Sequence, residues 1–219
     1  MSWLEIDEEL LNNVEDEKVS EGGSVLPSGI YDVEIVQLYA RQTDSGAVMI
    51  ELEGKTEVEV EGKKEEKKIY YSNCIQSGDE KGNKTTYTDK KSGKEMLLPG
   101  VVASVHMFQS MGLDFAKATP SKEKVERGQG TIEAKVFKEL RAKKFKACIR
   151  QYENEYNGEV SVKYDIENFL DTDGKNNKGE SQTEKFLKKI EKSPIKKLKA
   201  KAGVTVPTAS TAGVADSGW

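Results

Sequence analysis

The chain has 219 residues, of which 33% are charged and 36% hydrophobic, with a mean hydropathy of -0.67. That length holds one domain with appendages or two small ones, and the polarity predicts a modest core surrounded by solvated segments. No run of about 18 apolar residues suits a membrane span, the acidic start does not suit a secretory signal, and Cys74, Cys148 and the lone His106 are too few ligands for a zinc site.

The net charge of -4 hides a strong asymmetry. Glu5, Asp7, Glu8, Glu9, Glu15, Asp16, Glu17 and Glu21 face a single Lys18 in residues 1–22. Near the other end Lys185, Lys188, Lys189, Lys192, Lys196, Lys197, Lys199 and Lys201 are interrupted only by Glu191. Two such blocks attract each other or compete for one partner, and lysine this dense favours a phosphate or a protein-acid contact.

In chain order, residues 1–24 read as a short acidic segment with Leu4, Leu10, Leu11 and Val14 spaced for a brief amphipathic helix. After Pro27-Ser28-Gly29 a period of two begins, placing Tyr31, Val33 and Ile35 inward and Asp32 and Glu34 outward. A second strand follows Gly46, with Val48, Ile50 and Leu52 inward and Glu51 and Glu53 outward. Residues 54–68 read as a charged hairpin, and Ile69-Tyr70-Tyr71 returns the chain to the sheet. Residues 76–95 read as a long, mobile hairpin around Tyr87, turning near Ser92-Gly93. Pro99 then opens a helix with Val101, Val105 and Phe108 on its buried face and Gly112 at its end. Thr119-Pro120 suggests another short helix.

Three strands are predicted at 131–138, 143–152 and 159–168. In the middle one Phe145, Ala147 and Ile149 face inward, and Lys144, Lys146, Arg150 and Tyr152 share the other face. Asn157-Gly158 is a strong hairpin signal. A linker rich in Asp, Gly and Asn precedes a helix that Ser181 and Glu184 are spaced to cap as a box, and Ser193-Pro194 breaks it before a second short helix with Ile195 and Leu198. The expected organisation is an acidic segment at 1–24, a main domain at 25–171, a linker with basic helices at 172–203, and a flexible tail at 204–219 ending in Trp219. The order suits a partly open β-barrel of the OB type, and a generic α+β domain equally.

Catalytic patterns are thin. The glycines at 78 and 82 with Lys84-Thr85 lack phosphate-loop spacing, and Asp171, Asp173 and Gly174 depart from a calcium loop at Lys175 and Asn176, so plain turns are expected at both. Asp114 with Glu133 and Lys135 has the residue types of a metal-dependent nuclease, although Glu133 and Lys135 fit the solvent side of an alternating strand. A binding constellation is better represented. Single-stranded nucleic acid is held by aromatic platforms with Lys and Arg along the phosphate path. Tyr39 and Arg41, Tyr70 and Tyr71, Tyr87 among Lys84, Lys90, Lys91 and Lys94, and Tyr152 among Lys144, Lys146 and Arg150 supply that mixture. Tyr31 and Tyr164 are expected in the core.

The stretches Leu26-Pro27-Ser28-Gly29-Ile30-Tyr31-Asp32-Val33-Glu34-Ile35 and Thr43-Asp44-Ser45-Gly46-Ala47-Val48-Met49-Ile50 resemble bacteriophage-encoded single-stranded DNA-binding proteins. Tyr71-Ser72-Asn73-Cys74, the run from Thr86 to Lys94 and Leu98-Pro99-Gly100 are similar to the same group, so the resemblance covers roughly residues 26–112. It implies an OB-fold, so that with the elements above the expected architecture is mainly β, an OB-like partly open barrel with an inserted helix and a C-terminal helical extension. It also implies coating of single strands in phage DNA replication or recombination, with neither catalysis nor a cofactor, and a C-terminus that contacts replication or recombination proteins. Trp219 keeps the terminal aromatic of that group, but Asp216 is the only acid near it. A cytoplasmic protein is expected, in the host cell if the chain is viral.

Overall fold

The alternating apolar residues of the first predicted strand bury one side of a long extended segment, and the rest of the sheet is laid along it. A computed structural model describes residues 26–60, 62–127, 130–156 and 159–197. The elements are β1 (Gly29–Gln42), β2 (Val48–Val60), β3 (Lys63–Gln76), β4 (Thr86–Thr88), β5 (Glu95–Leu97), α1 (Pro99–Ser110), β6 (Ser121–Arg127), β7 (Gly130–Val136), β8 (Lys144–Tyr156), β9 (Glu159–Leu170), α2 (Thr183–Lys192) and β10 (Ile195–Lys196). The fold is mainly β with two α-helices among the described residues, and its sheet does not close into a barrel. A meander of three strands, an inserted helix and a final hairpin follow the partly open, OB-like order expected.

Along one edge β1 pairs with β2 in an antiparallel ladder that continues into β3. Along the other edge it pairs first with β8, from Gly29↔Ile149 to Glu34↔Lys144, and then with β7 at Tyr39↔Val136 and Ala40↔Lys135. A register shift between Ile35 and Gln37 reverses the alternation. Val33 and Ile35 are buried before it, and Leu38 and Ala40 after it, in one core. Phe145, Ala147 and Ile149 enter that core as predicted, and Tyr31 and Tyr164 pack half-buried at its margin.

The two ends of the sheet meet without a ladder. At the seam the Tyr70 N–H donates to the Tyr164 hydroxyl (3.1 Å), and Tyr71 stacks edge-on against Phe169 at 5.3 Å. The inserted helix α1 packs against both β3 and β9. Its buried residues are Gly100, Ser104, Met107, Phe108 and Ser110, so Phe108 is buried as predicted while Val101 and Val105 are half-buried beside Gly100 and Ser104. Two smaller apolar clusters lie outside the main core. Tyr39, Val125, Ala134 and Val136 join the β6–β7 hairpin to β1, and Cys148, Leu170 and Phe186 join α2 to β8 and β9. Burial there pushes the Cys148 thiol up to about 12.

Several sequence expectations are corrected. Thr119-Pro120 starts no helix, because the chain continues extended into β6, a strand whose alternating charges conceal a single buried Val125. Helix α2 begins at Thr183 without a side-chain cap, so the Ser181–Glu184 box does not form. Residues 195–196 are a parallel strand beside β8, at Ile195↔Gln151 and Lys196↔Tyr152, not a helix. Asp171 Oδ1 accepts the N–H groups of Asp173 and Lys175, the plain turn expected there. Asn157-Gly158 falls outside the described residues, although the flanking strands pair up to Tyr156↔Glu159. The segments 1–24 and 204–219 also lie outside them. No helix among the described residues is long and apolar enough to cross a membrane.

Helix α1 lies so close to β3 that a Cβ on Gly100 would stand 2.0 Å from the Cys74 carbonyl oxygen. Gly100→Ala must lift the helix off the seam, at a cost of about 1–3 kcal/mol. Urea unfolding would read this as a lower midpoint at unchanged slope. An unchanged midpoint would contradict the packing described.

Candidate nucleic-acid interface

The hairpin β4–β5 stands between the end of β3 and the start of α1. Backbone bonds from Ser77 to Lys84 (2.8 Å) and from Leu98 to Thr85 (2.8 Å) tie its base. At its tip Asp89 Oδ2 accepts the Ser92 hydroxyl (2.6 Å) and the Ser92 N–H (3.0 Å), and Gly93 takes the left-handed conformation at φ 66°. Those bonds from Ser92, with one from the Lys91 backbone, hold the Asp89 carboxyl below its usual value. Tyr87 pairs directly with Met96, so both side chains lie on one face of the hairpin, 41% and 49% exposed. Lys84, Lys90, Lys91 and Lys94 are exposed around them, and none of their ammonium groups makes an ion pair or hydrogen bond among the described residues.

The predicted residues on the sheet are placed differently. Tyr39 and Tyr71 are buried and offer no ring face to a base. The register shift in β1 turns Tyr39 outward, where the β6–β7 hairpin covers it, and its hydroxyl donates to Glu51 Oε2 (2.7 Å). Burial, this bond and the carboxylate charge together push the Tyr39 phenol up to about 12. Arg41 is spent on Glu51 at 2.8 Å, and Arg127 reaches the same carboxylate at 3.1 Å. Glu51, expected to face solvent, is therefore buried at the centre of a Tyr–Arg–Arg cluster. Lys144 pairs with Glu34 (3.6 Å) and Lys146 with Asp32 (2.6 Å) across the β1–β8 ladder.

Arg150 is also corrected. Its side chain is 12% exposed, binds Glu167 at 3.4 Å and donates to the Ser193 carbonyl (3.1 Å) and hydroxyl (3.0 Å). It clamps the end of the C-terminal extension to the sheet. Tyr152 is half-buried at the β8–β10 pair, in a groove shared with Glu153, Asp165, Glu167, Lys196 and Lys197. Tyr70 is 59% exposed in a groove between β2, β3 and the β6–β7 hairpin. Its cationic neighbours Lys68 and Arg127 are paired with Glu53 and Glu51, and Glu126 lines the same groove. The exposed aromatic there stands among spent charges. Trp219 lies outside the described residues.

The residue types of a nuclease core do not come together. Asp114 Oδ1 accepts the Ala116 N–H (3.0 Å) and its other oxygen meets Lys117 at 3.5 Å, capping the turn Phe115–Lys117. Glu133 and Lys135 line a shallow groove on β7 that does not include Asp114. Among the described residues no three His, Cys, Asp or Glu side chains are grouped to hold a metal ion.

Set beside known proteins, residues 12–97 match a family model described as "Protein of unknown function (DUF669)". No curated protein matches the chain. The matched stretch includes β1 to β5, and so the whole basic hairpin.

The Glu51 cluster has a measurable acid signature. Burial alone would raise the Glu51 carboxyl, but hydrogen bonds from Arg41 and Tyr39 and the charges of Arg41 and Arg127 outweigh it and hold it below the ordinary 4.5. A depressed folded pKa contributes stability above pH 4.5 that is lost as pH falls through the folded value. Glu51→Gln should cost about 1–3 kcal/mol near neutral pH. Melting curves of the two proteins should converge in acid, and a gap that stays constant with pH would contradict the assignment.

Proposed function

We propose that this protein binds single-stranded DNA without sequence preference, and that the β4–β5 hairpin is the main contact. The observation that carries the reading is the exposed Tyr87–Met96 pair among four lysines with no acidic partner among the described residues. A base stacks on the tyrosine and the methionine widens the apolar platform, while Lys84, Lys90, Lys91 and Lys94 meet successive phosphates. A flat ring with point charges on flexible stems accepts any base, because every base has a π-face and every phosphate the same charge. A mobile single strand can wrap the hairpin tip, which a stiff duplex can do only by bending.

The resemblance to phage-encoded single-stranded DNA-binding proteins supports the same reading. It suggests that the protein coats and protects strands exposed in phage DNA replication or recombination, without catalysis. Tyr70 is a secondary candidate that would extend the path onto the sheet.

Fluorescence anisotropy with labelled single- and double-stranded DNA, at several salt concentrations, tests this. Single strands should bind more tightly, with a negative slope of log affinity against log salt from about 0.7 counterions per phosphate contacted. Tyr87→Ala should weaken binding by about 1–3 kcal/mol at an unchanged melting temperature. Lys90→Ala with Lys91→Ala should flatten the salt slope by roughly 1.4, two contacts at about 0.7 each. Equal or tighter duplex binding, or a Tyr87→Ala protein of undiminished affinity, would refute the assignment.

A further inference from the structure

The strongly acidic segment 1–22 joins the described residues at Leu26, which is buried in the main core. Two residues later the Ser28 hydroxyl donates to the Pro194 carbonyl and accepts the Gln151 N–H (2.8 Å). Ile30 then packs beside Phe186 and Ile190 of α2. The acidic segment thus joins the described residues beside α2 and β10.

The surface at that tether is basic. Lys185, Lys188 and Lys192 recur at i, i+3 and i+7 on α2, so they form one exposed stripe, and Lys196 follows on β10. Among the described residues none of these four makes a close ion pair: Lys188 meets Glu184 at 4.0 Å with both groups well exposed, and Lys196 shares a groove with Asp165, whose carboxyl feels its charge. Lys189 and Lys197 turn aside to Glu167 on β9 and Glu153 on β8. Glu21 is five residues from Leu26, and five extended residues span at most about 18 Å. A short tether of this kind holds the segment at roughly millimolar effective concentration over nearby surface.

We propose that residues 1–22 dock on the lysine stripe of α2 and Lys196 in the same chain, as an intramolecular polyanion. The eight carboxylates of the segment meet lysines that have little else to pair with, and their charge keeps phosphates off this face. Nucleic acid is then directed to the hairpin lysines. The docking itself needs no DNA, so it stands or falls apart from the function proposed above.

Zero-length carbodiimide cross-linking of the full chain tests it, in low salt and without DNA, using an equal mixture of 14N and 15N protein. Amide links from Glu5, Asp7, Glu8, Glu9, Glu15, Asp16, Glu17 and Glu21 should fall on Lys185, Lys188, Lys192 and Lys196 and join peptides of one isotope only. They should be lost at about 1 M salt, where the Debye length is about 3 Å. They should also be lost in the triple variant Lys185→Glu, Lys188→Glu, Lys192→Glu, whose melting temperature confirms that it folds. Links chiefly to Lys84, Lys90, Lys91 and Lys94, mixed-isotope links that place the segment on a second copy, or no links at all would each overturn the proposal.

Discussion

The structure depends on how one edge of β1 is shared. From Gly29 to Glu34 that edge belongs to β8, and at Tyr39 and Ala40 it belongs to β7. Between them the turn that joins β7 to β8 supplies the missing bonds: Ile35 donates to Lys143 (2.9 Å), Ala142 to Ile35 (2.9 Å) and Phe137 to Leu38 (3.0 Å). No backbone group of β1 at the bend can be left unpaired without a penalty, so the turn and the bend must match residue for residue. Ala142 takes a left-handed conformation (φ 60°) to make its bond, at a cost of about 1–2 kcal/mol that the surrounding ladder offsets.

That bend decides what is inside. The extra residue at Ile35–Gln37 switches the buried parity from odd to even, so Leu38 and Ala40 continue the core and Tyr39 joins Glu51 on the outer face. The β6–β7 hairpin then covers that outer face. An outward carboxylate becomes a buried one, and it is tolerable only because Tyr39, Arg41 and Arg127 all donate to it. On the far side, α2 covers the outer face of β8 in the same way, its Phe186 packed on Cys148 and Leu170 and its end clamped by Arg150. An open sheet so short of interior volume gains two further apolar layers by using its outside.

The same layering sorts the cations by availability. Several basic residues on the sheet stand across a ladder from acids and are consumed in pairs, as Lys146 with Asp32 and Lys68 with Glu53. Those on the β4–β5 hairpin and on the exposed stripe of α2 have few or no acids in reach and keep their charge for something else. The proposed roles divide on that basis, the hairpin for a single strand and the stripe for the acidic segment of the chain itself. Exposed surface pairs are individually weak, so availability rather than the number of lysines is the useful measure.

Local alternation was enough to read the mainly β class, the inward faces of Val33, Ile50 and Phe145, the inserted helix at Pro99 and the basic hairpin around Tyr87, because each depends on neighbours within a few residues. Strand β6 escaped notice because only Val125 interrupts its charges, and the helix expected after Pro194 proved a strand because β8 offered it an edge beyond the end of β1. Tyr39, Arg41 and Arg150 looked like binding residues in sequence, since an aromatic or a cation at an outward position is ordinarily free. Only the tertiary structure placed Val125, Glu51 and Ser193 over them, residues 86, 10 and 43 positions away. A period of two specifies which face a side chain occupies, but whether that face meets water is decided by whatever distant segment packs on it.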